Sequence, residues 1–168
     1  MVEERLKAVG LVLPVPATPT FQYIPVTVHA GVAYISGQLP KEGEEVRITG
    51  KVGADVDLET AQRAARICIL QGLSCLKAAI GSLENVEQIL KVSGFVASAP
   101  GFVQQPRVLD AASKLLVELF GERGRHARSA IGVAELPRNA PVEIEMTVAV
   151  RGAEQLGGDS ACLLLESQ

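Results

Sequence analysis

Arg125-His126-Ala127-Arg128-Ser129-Ala130-Ile131-Gly132-Val133-Ala134-Glu135-Leu136-Pro137-Arg138-Asn139-Ala140-Pro141-Val142-Glu143-Ile144-Glu145-Met146-Thr147-Val148-Ala149-Val150 is the stretch that decides the fold. It reads as two strands joined by a turn. Ile131 and Val133, then Val142, Ile144, Met146, Val148 and Val150, recur at every second position. Such alternation predicts a strand pair with one apolar face under helices. The same reading puts His126, Arg128, Ala130, Gly132 and Ala134 of the first strand on the other face, with Glu143, Glu145 and Thr147 of the second. Charges on a strand commonly mark a solvated face and nothing more. Small residues beside an arginine, however, leave room above a sheet, and a pocket needs that room. With the turn over Glu135 to Ala140, Arg128 is expected opposite Thr147, with Glu143 on the same face roughly 13 Å away.

Working outward, Pro106 suits a helix first turn, and Val108, Ala112, Leu115, Leu116 and Leu119 form a helical apolar stripe that Gly121 ends. Before it, Asn85 to Ala97 reads as a strand, with Leu90, Val92 and Val96 on one side and Lys91, Ser93 and Phe95 on the other. The longest helix is expected from an Asp57 N-cap to Ile80, closed by Gly81, with Gly72 allowing close approach to the sheet. Val46 to Val52 reads as a short strand with a possible bulge at Gly50, after a solvent loop at Lys41 to Glu45. Tyr23 to Val28 and Val32 to Ile35 form a hairpin around His29-Ala30-Gly31. Residues 1–20 supply a short amphipathic helix ending at Gly10 and a strap stiffened by Pro14, Pro16 and Pro19. After Arg151 no periodicity persists, so residues 152–168 are expected to be a flexible tail. The resulting order, ββ(β)αβαββ, is α+β: a two-layer sandwich of a mixed β-sheet with two helices on one face, in a single domain over residues 1–151.

A chain of 168 residues with 48% apolar content supports one well-buried core. Net charge of −3, four Phe, two Tyr and no Trp argue against a nucleic-acid surface. Cys68, Cys75 and Cys162 have no metal-ligand spacing. Cys68 and Cys75 fall on one helical stripe and are expected in the core, and an odd cysteine count without a secretory leader points to a cytoplasmic setting. No apolar run is long enough to span a membrane.

Ala127-Arg128-Ser129 followed by Val133-Ala134, Leu136-Pro137 and Val142-Glu143-Ile144-Glu145 resembles the terminal signature of the RidA family, also called YjgF or L-PSP. Ser36-Gly37-Gln38-Leu39-Pro40 is similar to that family's early Ser-Gly-Gln motif. The resemblance runs from about Tyr23 to Arg151 and, with the long N-terminal lead, looks like a divergent subgroup. It implies a chorismate-mutase-like fold, three copies around a central barrel, and sites in clefts between subunits. The chain's own pattern also leaves one sheet face without helices, so an oligomer follows on physical grounds too.

The resemblance further implies that Arg128 binds a substrate carboxylate, and a guanidinium fork suits that task through paired hydrogen bonds. Glu143 matches the acidic residue held to position or activate an attacking water; its structural alternative is a partner for Arg128. Tyr23, Ser36 and Gly37 match residues lining the substrate cleft, although a wet-tipped strand tyrosine and a simple turn are the plain alternatives. Ala130 stands where central members place a cysteine, leaving only its backbone N–H. Asp110 is a candidate counterpart of the family's polar residue before the second helix. His126 shares Arg128's face and could bind or shuttle protons, or simply end a strand. Together these imply an enamine/imine deaminase that hydrolyses 2-imino acids of the 2-aminoacrylate type to 2-keto acids and ammonia, with no metal or organic cofactor. A carboxylate-binding module without turnover is the second reading, and an L-PSP-type endoribonuclease the third.

Overall fold

The computed structural model describes residues 1–16 and 23–151, so the expected tail, Cys162 and part of the proline strap lie outside the described residues. In chain order the elements are α1 (Val2–Ala8), β1 (Val26–His29), β2 (Val32–Gln38), β3 (Lys41–Glu42), β4 (Glu45–Val46), α2 (Leu58–Ile80), β5 (Val86–Ala97), α3 (Gln105–Phe120), β6 (Ala127–Val133) and β7 (Val142–Val150). Five of the strands form one mixed sheet in the order β1-β2-β7-β5-β6, while β3 and β4 make a separate small ribbon. The α+β expectation therefore holds.

The helices form where their caps and stripes put them. Asp57 accepts from the Thr60 N–H at 2.8 Å, and Gly81 closes α2 at φ 80°. Ala61, Ala65, Cys68, Leu73 and Leu76 are buried, and a Cβ on Gly72 would sit 2.6 Å from Met146 Cε, so glycine lets α2 lie close on β7. On α3, Val108, Leu109, Ala112, Leu115, Leu116 and Leu119 are all buried. Leu109 rests on Gly94 of β5, where an added Cβ would lie 2.3 Å from its Cδ1. We expect Gly94→Ala to destabilise by about 1–3 kcal/mol, because neither helix nor sheet can retreat; thermal or urea melting reads this directly, and an unchanged midpoint would contradict the packing. At the other end, α1 buries Val2 and Leu6, Arg5 donates to the Leu119 carbonyl at 3.2 Å, and Ser74 ties down the strap through the Pro14 carbonyl at 2.6 Å.

Three expectations are corrected. Val46 to Val52 is not a strand: only Glu45–Val46 pairs, Val52 makes isolated bridges, and Gly50 at φ 113° lies against the Asp55 side chain. Leu90 does not share a face with Val92, because the register slips between Ile89 and Lys91; Ile89 turns inward and Leu90 is left 40% exposed.

The third correction is the largest. β6 and β7 do not pair with each other. β5 lies between them, antiparallel to β7 and parallel to β6, with α3 as the crossover. The connecting residues 134–141 include two prolines and a turn with Arg138 and Asn139 at positive φ, long enough to step across a strand. Residues directly opposite one another point the same way. Val92 faces both Arg128 and Met146, and Gly94 faces both Ala130 and Ile144. Arg128, Ala130 and Gly132 therefore belong to the helix-covered face. Glu143 belongs to the open face with Phe95 and Ile131, and Ile131 is 50% exposed instead of buried.

Candidate functional site

Arg128 extends from the edge strand β6 toward α3. Its Nη1 donates to Asp110 Oδ1 at 3.0 Å and to Ser113 Oγ at 3.0 Å. Asp110 and Ser113 are three residues apart, which puts both on the same side of the helix. The Arg128 side chain is 23% exposed and Asp110's is 62% exposed, so the pair sits at the protein's rim. Nη2 and Nε make no hydrogen bond among the described residues, leaving one edge of the fork open.

Ser113 Oγ also meets His126 Nε2 at 2.9 Å, and His126 Nδ1 meets the Gly124 carbonyl at 2.6 Å. Gly124 is held against α3, where a Cβ would lie 2.2 Å from the Leu116 carbonyl oxygen. Burial lowers the His126 pKa and the Arg128 charge lowers it further, while the Gly124 hydrogen bond opposes them. The imidazole is thus favoured in its neutral form. His126 and Arg128 do share a face, as expected, and both converge on a serine that sequence reasoning missed.

On the opposite face, Glu143 lies over bare backbone. A Cβ on Gly37 would stand 2.0 Å from Glu143 Oε1, so only glycine leaves room for the carboxylate. Half-burial raises the Glu143 pKa, and the neighbouring Glu145 raises it further. Ser36 Oγ donates to the Ile24 carbonyl at 3.1 Å, which joins this strand end to the segment carrying Tyr23, itself 59% exposed. Gly37 and Glu143 are brought together as a unit, with Ser36 adjacent. Arg128 is not part of it. In one chain it is two strands away and three residues along, roughly 14 Å between backbones, and on the other face. A single chain therefore cannot hold one small acid between Arg128 and Glu143, contrary to expectation.

Cys68 and Cys75 are buried and free. Burial pushes the Cys68 thiol well up, and its Sγ faces the Val142 carbonyl at 3.6 Å, so both act as core residues. Among the described residues, three His, Cys, Asp or Glu side chains nowhere converge as a metal cluster, and no helix is long and apolar enough to cross a membrane.

A mixed sheet with helices on one face, a rim arginine on β6 and a β7 carboxylate lying over the Ser-Gly-Gln end of β2 define a class, and comparison with known proteins identifies it. The chain belongs to the family described as "YjgF/chorismate_mutase-like, putative endoribonuclease", whose model matches residues 3–147. A crystal structure of an Agrobacterium tumefaciens protein of unknown function is similar at 47% identity, with 89% of this chain and 92% of that one covered and a TM-score of 0.83. Protein TCP17 of Trypanosoma cruzi is 40% identical over 148 residues, 88% of this chain and 92% of its own. A 2-iminobutanoate/2-iminopropanoate deaminase of Dermatophagoides farinae is 30% identical over 115 residues, 67% of this chain and 84% of its own.

Proposed function

We propose that the protein is an enamine/imine deaminase that hydrolyses small 2-imino acids to 2-keto acids and ammonia. The observation that carries this reading is the half-open Arg128 fork, which has one edge fixed by Asp110 and Ser113 and the other left for a substrate carboxylate. The Dermatophagoides relative named as a deaminase supports it. Glu143, its pKa raised by burial and by Glu145, suits the ordering of a water. Imines hydrolyse readily, so orientation and polarisation suffice without a nucleophile triad or cofactor.

Because Arg128 and Glu143 lie on opposite faces of one sheet, the reading requires Arg128 of one copy to meet Glu143 of another, in a trimer with its sites between subunits. Ammonia release from a freshly generated imino acid tests the activity. Mixing tests the shared site: Arg128→Ala and Glu143→Gln chains, each impaired alone, should regain part of the activity after co-refolding, since some mixed clefts receive both native residues. Light scattering that finds a monomer, or mixtures no better than the separate variants, would overturn the shared site. The separation of the two residues also favours a second reading, a carboxylate-binding module that uses Arg128 alone; such a protein would bind a 2-keto acid and release no ammonia.

A further inference from the structure

In the reading above Ser113 only steadies Arg128, and His126 has no role. A carbonyl oxygen has no proton to give, so His126 Nδ1, 2.6 Å from the Gly124 carbonyl, carries the ring hydrogen and Nε2 presents a lone pair. Ser113 Oγ, 2.9 Å from Nε2, then donates its hydroxyl proton to His126 while accepting an N–H from Arg128 Nη1. A hydroxyl aligned on a neutral imidazole whose far nitrogen is fixed is the arrangement that moves protons. The charged group next to this pair is Arg128 from β6, with Asp110 of α3 reaching it through the guanidinium. Within one chain Glu143 lies on the other face of the sheet.

We infer that Ser113 and His126 form the proton carrier of the site anchored on Arg128, with Ser113 nearest the substrate and His126 storing the proton behind it. The inference rests on the deaminase reading. The iminium carbon takes the water oxygen and its C–N π pair moves to nitrogen. One water proton passes to Ser113 Oγ as the serine's own proton passes to His126 Nε2. The neutral carbinolamine then recovers that proton on nitrogen by the reverse route. The C–N bond breaks with its electron pair on the departing ammonia, the O–H pair becomes the carbonyl bond, and the released proton converts ammonia to ammonium. Water and iminium in, keto acid and ammonium out, the relay returns to its starting state.

Three variants test it: His126→Gln, His126→Ala and Ser113→Ala. A glutamine amide oxygen can accept the Ser113 hydrogen bond near the place of Nε2 but takes up no proton, so it preserves orientation and removes the carrier. In His126→Gln and Ser113→Ala, kcat for ammonia release is expected to fall about 100-fold, the ordinary worth of a general acid–base, with pyruvate affinity measured by calorimetry changed by no more than about twofold. If His126→Gln does not fold, Ser113→Ala gives the same reading, since Asp110 still holds Arg128. Turnover at the unaltered rate in His126→Gln beside a loss in His126→Ala means that the pair only orients Arg128, and a loss confined to pyruvate affinity means the same; either overturns the relay. An unaltered protein that binds pyruvate but releases no ammonia overturns the deaminase reading itself, and the relay falls with it.

Discussion

Gly37→Ala should reduce imino acid turnover by at least about tenfold while leaving the melting temperature almost unchanged. Gly37 does not occupy the left-handed region, so alanine meets no backbone strain there. The added Cβ would instead stand 2.0 Å from Glu143 Oε1 and 2.9 Å from its Cδ. Those atoms end a flexible side chain, so the carboxylate swings aside at little cost to the fold. For a group that must order a water the displacement is costly, since about 1 Å of misplacement can reduce a rate by about 100-fold. Glu143→Gln provides the complementary test: it keeps the position and removes the charge, so turnover should drop with pyruvate binding retained. Its pH dependence has a definite sign. Glu143 has a raised pKa in the folded protein, so the folded state holds its proton more tightly than the unfolded chain. The stabilisation linked to that proton is complete below the unfolded value and is lost as pH rises through the folded one. At neutral pH the buried charge is a burden, and Glu143→Gln should melt no lower than the unaltered protein there; toward acid pH the advantage should disappear. A Gly37→Ala protein with normal turnover would remove Glu143 from the chemistry.

Arg128→Lys should weaken pyruvate binding by about 1–3 kcal/mol, the range for hydrogen bonds to charged groups. Lysine keeps the charge, but a single ammonium cannot hold Asp110 and Ser113 on one side and grip a carboxylate with two parallel bonds on the other. The stability change should be small, because Asp110 is 62% exposed and remains hydrated when released. Calorimetric titration measures the first and thermal melting the second. Binding that survives Arg128→Lys intact would move the anchor elsewhere and remove the basis of the site.

What the sequence made legible, and what it did not, divides along a physical line. Periodicity reports which side of an element is buried, so β7, α2 and α3 were readable with their caps, from Asp57 to Gly81 and from Pro106 to Gly121. Periodicity says nothing of which strand lies next to which. Both faces of β6 mix small, polar and apolar residues, so its alternation carries no clear parity and points Ile131 inward and Arg128 outward, the reverse of their positions. Leu90 was lost to a register slip, which breaks the two-residue period without any marker residue. Glu143, Gly37 and Arg128 stand within the motif residues, and His126 is marked only by its place two residues before Arg128. Ser113 has no such mark, because a serine flanking a helix stripe acquires meaning only when a histidine and an arginine from another element arrive beside it.

The position of β7 governs how the chain can be made. This strand occupies the middle of the sheet, with Met146 paired to Ile35 on one side and to Val92 on the other. It is also the last strand among the described residues. During synthesis β2 and β5 each wait with an open hydrogen-bonding edge until Val142 to Val150 emerges, and the contacts they await are long-range ones that close slowly. A ribosome that stalls or a nonsense codon within residues 134–141 would release a chain with helices formed and two sticky edges exposed, a substrate for chaperones and for aggregation.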